Sequence, residues 1–271
     1  MIGYLGPEGT YSEIAASRLD KRAEKRAYPS FPLLINALKK GEIDSAAIPV
    51  ENSVNGAVTQ NLDLLQDLQG YCAVGACAVE IDHRLVTKKG ADISRIKRIY
   101  SHAQALGQCA RYLNAHFPSA VLMQSQSTSG CFDCIKSEEE AGIVGSQCIK
   151  EGFELSKECI SDEKNNYTLF LLVVRGQPDK DNPTNRIFFS MTCRHEVGAL
   201  VKMLSILSDN GLNMTKIESR PIKDRVWEFR FFIEVEGDYS QKNVRAAIEK
   251  VSAQASSFKL LGCYTADLPK G

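Results

Sequence analysis

Short apolar runs and helix-spaced apolar positions follow one another from the start of the chain. Ile2 to Leu5 and Ala46 to Val50 are apolar runs bounded by turn formers, which predicts buried strands. Phe31 to Lys40 carries Leu34 and Leu38 four positions apart, which predicts a helix with one apolar face. Because such strands and helices keep alternating, we predict an α/β fold built on a doubly wound sheet.

The most apolar segment runs from Tyr167 to Val174 and predicts a central strand. Thr168 stands near its beginning, where a hydroxyl group that enters a buried strand needs a hydrogen-bond partner. The polar stretch from Arg175 to Thr184 comes next, is rich in turn formers and shows no periodicity. We therefore predict a domain linker here, at residues 177–184.

The pattern after the linker predicts a small domain in the order βαββαβ, the ferredoxin-like arrangement. The predicted elements are the strand Arg186 to Cys193, the helix Gly198 to Asn210, the strands Met214 to Ser219 and Val226 to Glu234, the helix Tyr239 to Ser252 and the strand Phe258 to Tyr264. A small sheet with one open face commonly pairs with a copy of itself to cover that surface. We therefore expect a homo-oligomer.

Polar clusters follow three of the predicted strands, each just before a predicted helix. Thr10 to Ser12 follows the first strand, Glu51 to Asn55 follows the strand that Pro49 is expected to end, and Gln124 to Gly130 follows the strand Ala120 to Met123. Hydroxyl and amide groups in this position can form anion-binding corners, and two such corners at one sheet edge favour a ligand cleft. The alternative is a set of loops that cap free helix amides.

The composition narrows the class of partner. Hydrophobic residues make up 44% of the 271 residues and charged residues 24%, which suits a packed core and a hydrated surface. The 33 Lys and Arg residues balance 33 Asp and Glu residues, so nothing points to a nucleic acid or a membrane as partner. The N-terminus lacks signal-peptide features, and no apolar run approaches the roughly 20 residues of a membrane span. We expect a cytoplasmic protein.

Nine cysteines are interpreted as reduced and mostly buried side chains. Cys131 and Cys134 form a Cys-x-x-Cys pair, the spacing of a redox or metal site. No second Cys or His group stands nearby to complete a zinc site, so a structural role is favoured. His83, between two predicted strands, is also open to two interpretations, as a structural or as a ligand-binding side chain.

Five segments together resemble the prephenate dehydratases of the monofunctional type, which carry a C-terminal ACT domain. They are Gly6 to Ser12, Pro49 to Ser53, Ser101 to Leu106, Asn166 to Phe170 and Glu218 to Pro221. Because they occur in the family's order over nearly the whole chain, the resemblance is much more specific than any single motif.

The resemblance implies a fold, an activity and an assembly. The catalytic region, residues 1–176, is expected to have two lobes like a periplasmic binding protein with the active site between them, and residues 185–271 to form a ferredoxin-like ACT domain. The implied activity converts prephenate to phenylpyruvate with loss of carbon dioxide and water, in phenylalanine biosynthesis, under feedback inhibition by phenylalanine. A homodimer or homotetramer through the ACT domains is implied, and no metal or organic cofactor is expected.

The resemblance also assigns residues. Thr168 corresponds to the threonine of the family's Thr-Arg-Phe motif, which implies that it protonates the leaving hydroxide as general acid. Substrate binding is implied for Thr10, Ser12, Asn52, Ser53, Gln104, Thr128 and Phe170. Phenylalanine binding is implied for Gly198, Ala199, Leu200, Glu218, Ser219, Arg220 and Pro221.

The sequence departs from the family pattern at four places. Ser129-Gly130 stands where Ala-Glu is common, and Ala103 and Val197 stand where the family usually has proline. Leu169 replaces the arginine of Thr-Arg-Phe, the departure that bears most directly on catalysis.

Two interpretations of Leu169 are open. If the family's arginine holds a substrate carboxylate, we expect a raised KM here unless Arg84, Lys88 or Lys89, the nearest basic residues in the chain, replaces it. Alternation along the strand instead places Leu169 on the face opposite Thr168, where it would pack into the core.

Two other functions stay open at this point. One is an enzyme that decarboxylates prephenate without expelling the hydroxyl, and the other is a non-catalytic homologue that senses phenylalanine.

Overall fold

The computed structural model of the chain describes residues 1–125, 127–223, 225 and 227–269. Gln126, in the third polar cluster, and Val226, the predicted start of a strand, lie outside these ranges, as does the side chain of Ser129. None of the helices in the described ranges is long and apolar enough to cross a membrane.

The strands, numbered in chain order, are β1 (Ile2–Leu5), β2 (Lys25–Tyr28), β3 (Ser45–Asn52), β4 (Gly56–Ala57), β5 (Tyr71–Glu80), β6 (His83–Lys88), β7 (Arg98–Ser101), β8 (Val121–Gln124), β9 (Glu140–Gly145), β10 (Phe153–Leu155), β11 (Tyr167–Arg175), β12 (Arg186–Thr192), β13 (Met214–Pro221), β14 (Phe229–Glu236), β15 (Ser257–Tyr264) and β16 (Ala266–Asp267). The α-helices are α1 (Tyr11–Leu19), α2 (Phe31–Lys40), α3 (Thr59–Asp67), α4 (Ala103–Gln108), α5 (Ala110–His116), α6 (Ala199–Asp209) and α7 (Lys242–Gln254). Short 3-10 helices cover Ile93–Arg95 and Ser129–Asp133.

The N-terminal region forms two lobes on two separate sheets. The first lobe contains the order β5-β11-β3-β1-β2, and the second contains β10-β6-β9-β7-β8. The chain enters the second lobe after β5 and returns to the first through β11, which pairs antiparallel with both β5 and β3. β11 is therefore a central strand, as its apolar sequence predicted, and the chain crosses between the lobes twice.

Pro49 lies inside β3 instead of ending it, so this expectation was wrong. The register of the neighbouring strand β11 shifts between Leu169 and Phe170, next to the position that Pro49 pairs with. A bulge at this point accommodates a residue that has no backbone N–H to donate.

The C-terminal region has the predicted ferredoxin-like order, with strands arranged β13-β14-β12-β15. Ile187, Phe189 and Ile233 pack under α6 and α7 on one face of this sheet. Phe188 and Phe232, on the other face, belong to the core of the first lobe. The ACT sheet is thus covered on one face by its own helices and on the other by the first lobe.

The ACT sheet and the sheet of the first lobe are continuous, because β15 pairs parallel with β5 at Gly262 and Ala73. The sheet of the second lobe remains separate. A Cβ atom at Gly262 would lie 2.6 Å from the Cβ of Ala73, which is too close for any side chain. Glycine is required here because the two backbones approach so closely. This contact fixes the C-terminal domain directly against the first lobe.

Candidate active site

A cavity of about 370 Å³ lies between the two lobes. The described residues that line it come from the start of α1, the end of β3, the start of β11 and, across the cleft, from β6 and α4. Seven of the eight predicted catalytic and substrate-binding residues line it, namely Thr10, Ser12, Asn52, Gln104, Thr128, Thr168 and Phe170. The structure therefore brings together residues that are up to 160 positions apart in the chain.

Ser53 is the predicted substrate-binding residue that the structure places elsewhere. Its hydroxyl donates to the carbonyl of Asn165 at 2.9 Å and accepts from the backbone N–H of Tyr167 at 2.9 Å. It does not line the cavity between the lobes. Its hydroxyl therefore holds the two strand ends together.

Asn52 connects the end of β3 to the start of β11. It is buried, and the two hydrogens of its Nδ2 are shared among three acceptors: Oδ1 of Asn166 at 2.7 Å, the carbonyl of Tyr167 at 3.1 Å and Oγ1 of Thr168 at 3.1 Å. Its Oδ1 accepts from the backbone amides of the loop that follows, at positions 54 and 55. Asn52 therefore fixes both the hydroxyl of Thr168 and the loop before α3.

The N–H of Asn52 that donates to Thr168 also orients the threonine hydroxyl. An oxygen that accepts a hydrogen bond from an amide must direct its own hydrogen elsewhere. No acceptor for that hydrogen is present among the described residues, and Thr168 lines the cavity. The arrangement leaves a hydroxyl proton available to a bound molecule.

His83 and Gln108 are cleft residues that the sequence did not assign to the site. His83 is 2% exposed, and its Nε2 is 2.9 Å from Oε1 of Gln108. Within the described residues, His83 Nδ1 and Gln108 Nε2 are both buried without a hydrogen-bond partner. Burial lowers the pKa of His83, so the neutral imidazole is favoured. The cleft wall therefore contains two buried polar atoms whose hydrogen-bonding capacity is not used within the described residues.

Tyr11 lines the cleft beside His83 and is also uncharged. Its ring meets the His83 ring edge-on with centroids 6.1 Å apart, and its hydroxyl donates to the carbonyl of Asp82 at 2.9 Å. Burial raises the pKa of Tyr11 well above its usual value, so the phenol stays protonated. The sequence contained Tyr11 in a polar cluster and His83 between strands, but nothing in it paired them.

The cavity lining contains no lysine or arginine among the described residues. Arg84, one of the basic residues considered as a substitute for the missing arginine, pairs instead with Asp82, with Nη2 2.7 Å from Oδ2. Lys88 donates to the carbonyl of Lys136 at the far end of β6, and Lys89 follows in the next turn. None of these three residues lines the cavity, so none is placed there to replace the arginine.

One arginine, Arg111, lies beside the cleft. Arg111 lines an adjoining cavity together with Gln104 and Gln108, which also line the cleft. Its Nη2 is 2.8 Å from Oε1 of Glu163. This ion pair is exposed, with Arg111 69% and Glu163 62% accessible to solvent.

Leu169 packs against the core of the first lobe and does not line the cavity. Thr168 and Phe170 on either side of it do. This is the alternation expected for a strand, and it agrees with the interpretation that Leu169 is a core residue.

The predicted effector residues separate into two groups. Ala199 and Leu200 line a cavity of about 630 Å³ in the ACT domain, and Gly198 precedes them as the N-cap of α6 with φ 78°. The segment Glu218 to Pro221 lies on β13 and does not line that cavity. Arg220 instead pairs with Asp63 of α3, with Nη2 2.9 Å from Oδ2.

Cys131 and Cys134 lie at a 3-10 helix in the second lobe and are both unpaired. Burial raises the pKa of Cys131 to about 12, so the reactive thiolate is strongly disfavoured. The described residues contain no group of three or more His, Cys, Asp or Glu side chains placed to hold a metal ion. The structural interpretation of this pair is the one that the geometry supports.

Comparison with known proteins identifies the family. The family model described as prephenate dehydratase matches residues 2–178, and the ACT domain model matches residues 187–253. The chain is 31% identical over 268 residues to the bifunctional chorismate mutase/prephenate dehydratase of Neisseria gonorrhoeae, covering 97% of this chain and 74% of that protein. It is 29% identical over 281 residues to the prephenate dehydratase of Bacillus subtilis, covering 97% and 98%.

The fold agrees with that of solved members. The crystal structure of prephenate dehydratase from Arthrobacter aurescens in complex with L-Phe superposes with a TM-score of 0.87 at 27% identity, covering 97% of this chain and 89% of that one. The predicted fold, two α/β lobes followed by a ferredoxin-like domain, is thereby confirmed. The chain belongs to the prephenate dehydratase family of enzymes and carries a C-terminal ACT domain.

Proposed function

We propose that the protein converts prephenate to phenylpyruvate, with loss of carbon dioxide and water, in phenylalanine biosynthesis. The observation that carries this proposal is the Asn52–Thr168 hydrogen bond of 3.1 Å at the cavity between the lobes. It presents a threonine hydroxyl proton to a ligand, and proton delivery to a leaving hydroxyl is the difficult part of this reaction.

The proposed reaction couples the loss of carbon dioxide to the loss of the ring hydroxyl. The bond from the ring to its carboxylate breaks and releases carbon dioxide, and the electron pair moves through the ring to expel the hydroxyl from the opposite carbon. Thr168 donates its proton to that hydroxyl, which leaves as water, and solvent restores the threonine proton. A positioned general acid contributes roughly 10²–10⁴-fold to such a step. A hydroxyl is a weak acid, so orientation and the gain of aromaticity must supply the rest.

The substrate carboxylates would be held by neutral groups. Ser12, Gln104 and Thr128 offer hydroxyl and amide donors from both sides of the cleft. Thr10 also lines the cavity, but its hydroxyl donates to the carbonyl of Leu5 at 3.1 Å. Hydrogen bonds to charged groups contribute about 1.5–3 kcal/mol each, but a cation would add long-range attraction that this lining lacks. We therefore expect a higher KM for prephenate than in relatives with a cation in the cleft.

We infer that phenylalanine inhibits the enzyme at the ACT domain. The A. aurescens enzyme was solved with L-Phe. Here Ala199 and Leu200 line a cavity, while Glu218 to Pro221 lie on β13, the edge strand of the sheet. If both groups contact one phenylalanine, the β13 residues must come from a second copy. A homodimer or homotetramer through the ACT domains would complete the site.

Calorimetry with the intact oligomer tests the effector site. We expect saturable binding of phenylalanine that is lost when Ala199→Phe fills the cavity, with folding checked by circular dichroism. Inhibition also requires that phenylalanine prefer the less active state, because equal affinity for both states shifts nothing. Absence of phenylalanine binding to the intact oligomer would refute the site.

A product assay tests the reaction itself. Incubation with prephenate should produce phenylpyruvate, followed by its ultraviolet absorbance. A non-aromatic keto acid as product would instead indicate decarboxylation without loss of the hydroxyl. No turnover, together with phenylalanine binding, would indicate a sensor.

A further inference from the structure

Helix α3 stands between the ACT sheet and the cleft. Its N-terminus follows Val58, which lines the cleft together with Asn52. Leu62 on its buried side shares a core with Phe188 and Phe232 of the ACT sheet. The ACT domain therefore touches the segment that forms one corner of the cleft.

Lys216 of β13 makes the contact nearest to that corner. Its Nζ lies 2.9 Å from Oε2 of Glu51 and 3.4 Å from the carbonyl of Val50. Its side chain is only 7% exposed, and its ammonium is 6.0 Å from the centre of the Phe188 ring. A buried ammonium is stable only with such partners, so this lysine is held firmly at the end of β3.

Glu51 and Asn52 are adjacent in β3 and point to opposite faces of the sheet. Asn52 donates to Thr168 on the cleft side, and Glu51 receives Lys216 on the ACT side. A force on Glu51 therefore acts on the backbone of the residue that orients the threonine hydroxyl.

We propose that Lys216 is a positioning residue for the reaction: its ion pair with Glu51 holds the end of β3 so that Asn52 keeps the Thr168 hydroxyl directed into the cleft. The kinetic part of this inference rests on the proposed function. The structural part concerns only the mobility of the cleft corner.

Other contacts keep the ACT domain docked when Lys216 is changed. Arg220 pairs with Asp63 in the middle of α3, at 2.9 Å. Lys259 donates to the carbonyls of Leu65, Gln66 and Leu68 at the end of α3, at 2.7 to 2.9 Å. Loss of Lys216 should therefore loosen one corner and leave the domain in place.

Hydrogen exchange on the full-length chain measures the mobility of the cleft corner without substrate. In Lys216→Met we expect the backbone amides of residues 52–58 to exchange roughly 10-fold faster, because an ion pair with a buried lysine is lost, while Glu51, which is 40% exposed, can still be hydrated. Lys216→Arg should restore slow exchange. Lys97→Met is the matched control, since it breaks a 2.8 Å pair with Glu139, a glutamate that is 39% exposed against 40% for Glu51.

Steady-state kinetics supplies the second readout. We expect kcat of Lys216→Met to fall about 10-fold with KM changed less than about twofold, because a misplaced hydroxyl lowers only the chemical step. Lys216→Arg should recover most of kcat, and Lys97→Met should match the parent. A parent that does not turn over prephenate would refute the proposed function, whereas exchange would still decide the role of Lys216.

Two results would overturn the inference. One is unchanged exchange at residues 52–58 in Lys216→Met. The other is faster exchange across the whole ACT domain, with kcat and KM changing together, which would show that Lys216 serves domain docking alone.

Discussion

Removal of the Asn52 side chain is the most direct test of the cleft. Asn52→Ala deletes one amide that donates to three oxygens and accepts from two backbone amides. The amides at positions 54 and 55 belong to exposed residues and can be rehydrated. Asn166, which is 1% exposed, would lose the partner of its Oδ1. The loss of stability should therefore come mainly from the buried contact with Asn166.

The magnitude follows from these contacts. A stranded buried acceptor costs about 1–3 kcal/mol, and each hydrogen bond that water can replace costs about 1 kcal/mol or less. We expect Asn52→Ala to lose about 3 kcal/mol of unfolding free energy, which a domain with 5–15 kcal/mol of stability survives. Without the amide the Thr168 hydroxyl is free to rotate, so kcat should fall roughly 10²-fold.

A double-mutant cycle separates orientation from stability. Thr168→Ala should lower kcat by about 10²-fold or more, and adding Asn52→Ala should lower it little further, because both changes remove the same oriented proton. Urea denaturation gives the stability of each variant. Ser53→Ala is the matched control, since it removes two hydrogen bonds at the next residue without touching the cleft lining. Independent, multiplying effects of Asn52→Ala and Thr168→Ala would refute this reasoning.

Two further predictions concern single residues. Burial lowers the pKa of His83 below its ordinary 6.5, so on acidification the unfolded chain binds this proton first and stability falls from about pH 6.5 down to the folded-state pKa. Urea titrations at pH 7.5 and 5.5 should show that His83→Gln loses less unfolding free energy on acidification than the parent protein does, by up to about 1.4 kcal/mol per pH unit. Equal losses in the two proteins would contradict this role of a buried neutral His83. Leu169→Arg should cost about 1–3 kcal/mol of stability and leave KM unchanged, because Leu169 packs on the core. A lowered KM in that variant would show that an arginine here reaches the cleft.

Elements with strong local signals could be predicted from the sequence. β1 and α2 have the predicted bounds, Ile2–Leu5 and Phe31–Lys40, because turn formers stand at their ends. A Ser N-cap and a left-handed Gly41 enclose α2. In such segments local chemistry and tertiary structure favour the same conformation.

Other elements gave weak or misleading signals. β2, Lys25–Tyr28, was missed because it is a short edge strand with three exposed residues. The sequence of residues 146–151 also predicts a short helix, and this prediction was wrong, because the stretch is too short to form a stable helix and contains turns that lead into β10. The stretch from His102 to His116 is predicted as a single helix, but it is broken at Cys109 into α4 and α5.

Individual site residues could be predicted from the sequence where they belong to a motif, but the contacts between them could not. Thr168 and Asn52 were identified from separate motifs, but their contact depends on the pairing of β11 with β3, which no local pattern specifies. His83 and Gln108 illustrate the limit, because their contact requires β6 and α4 to pack across a 25-residue separation. Unpartnered atoms such as His83 Nδ1 become visible only in three dimensions.

The position of β13 gives a short physical path from the ACT sheet to the corner of the cleft. Lys216, Glu218 and Arg220 alternate with exposed residues along the strand, so they share the face toward α3. A ligand that displaced the strand at Glu218 would therefore act on Glu51 through Lys216 and on Asp63 through Arg220, since both ion pairs are in place. Those contacts reach the residue before Asn52 and the middle of the helix that follows the cleft corner. An effector signal that used this path would change the orientation of the Thr168 hydroxyl within the same chain, and would not require the two lobes to separate.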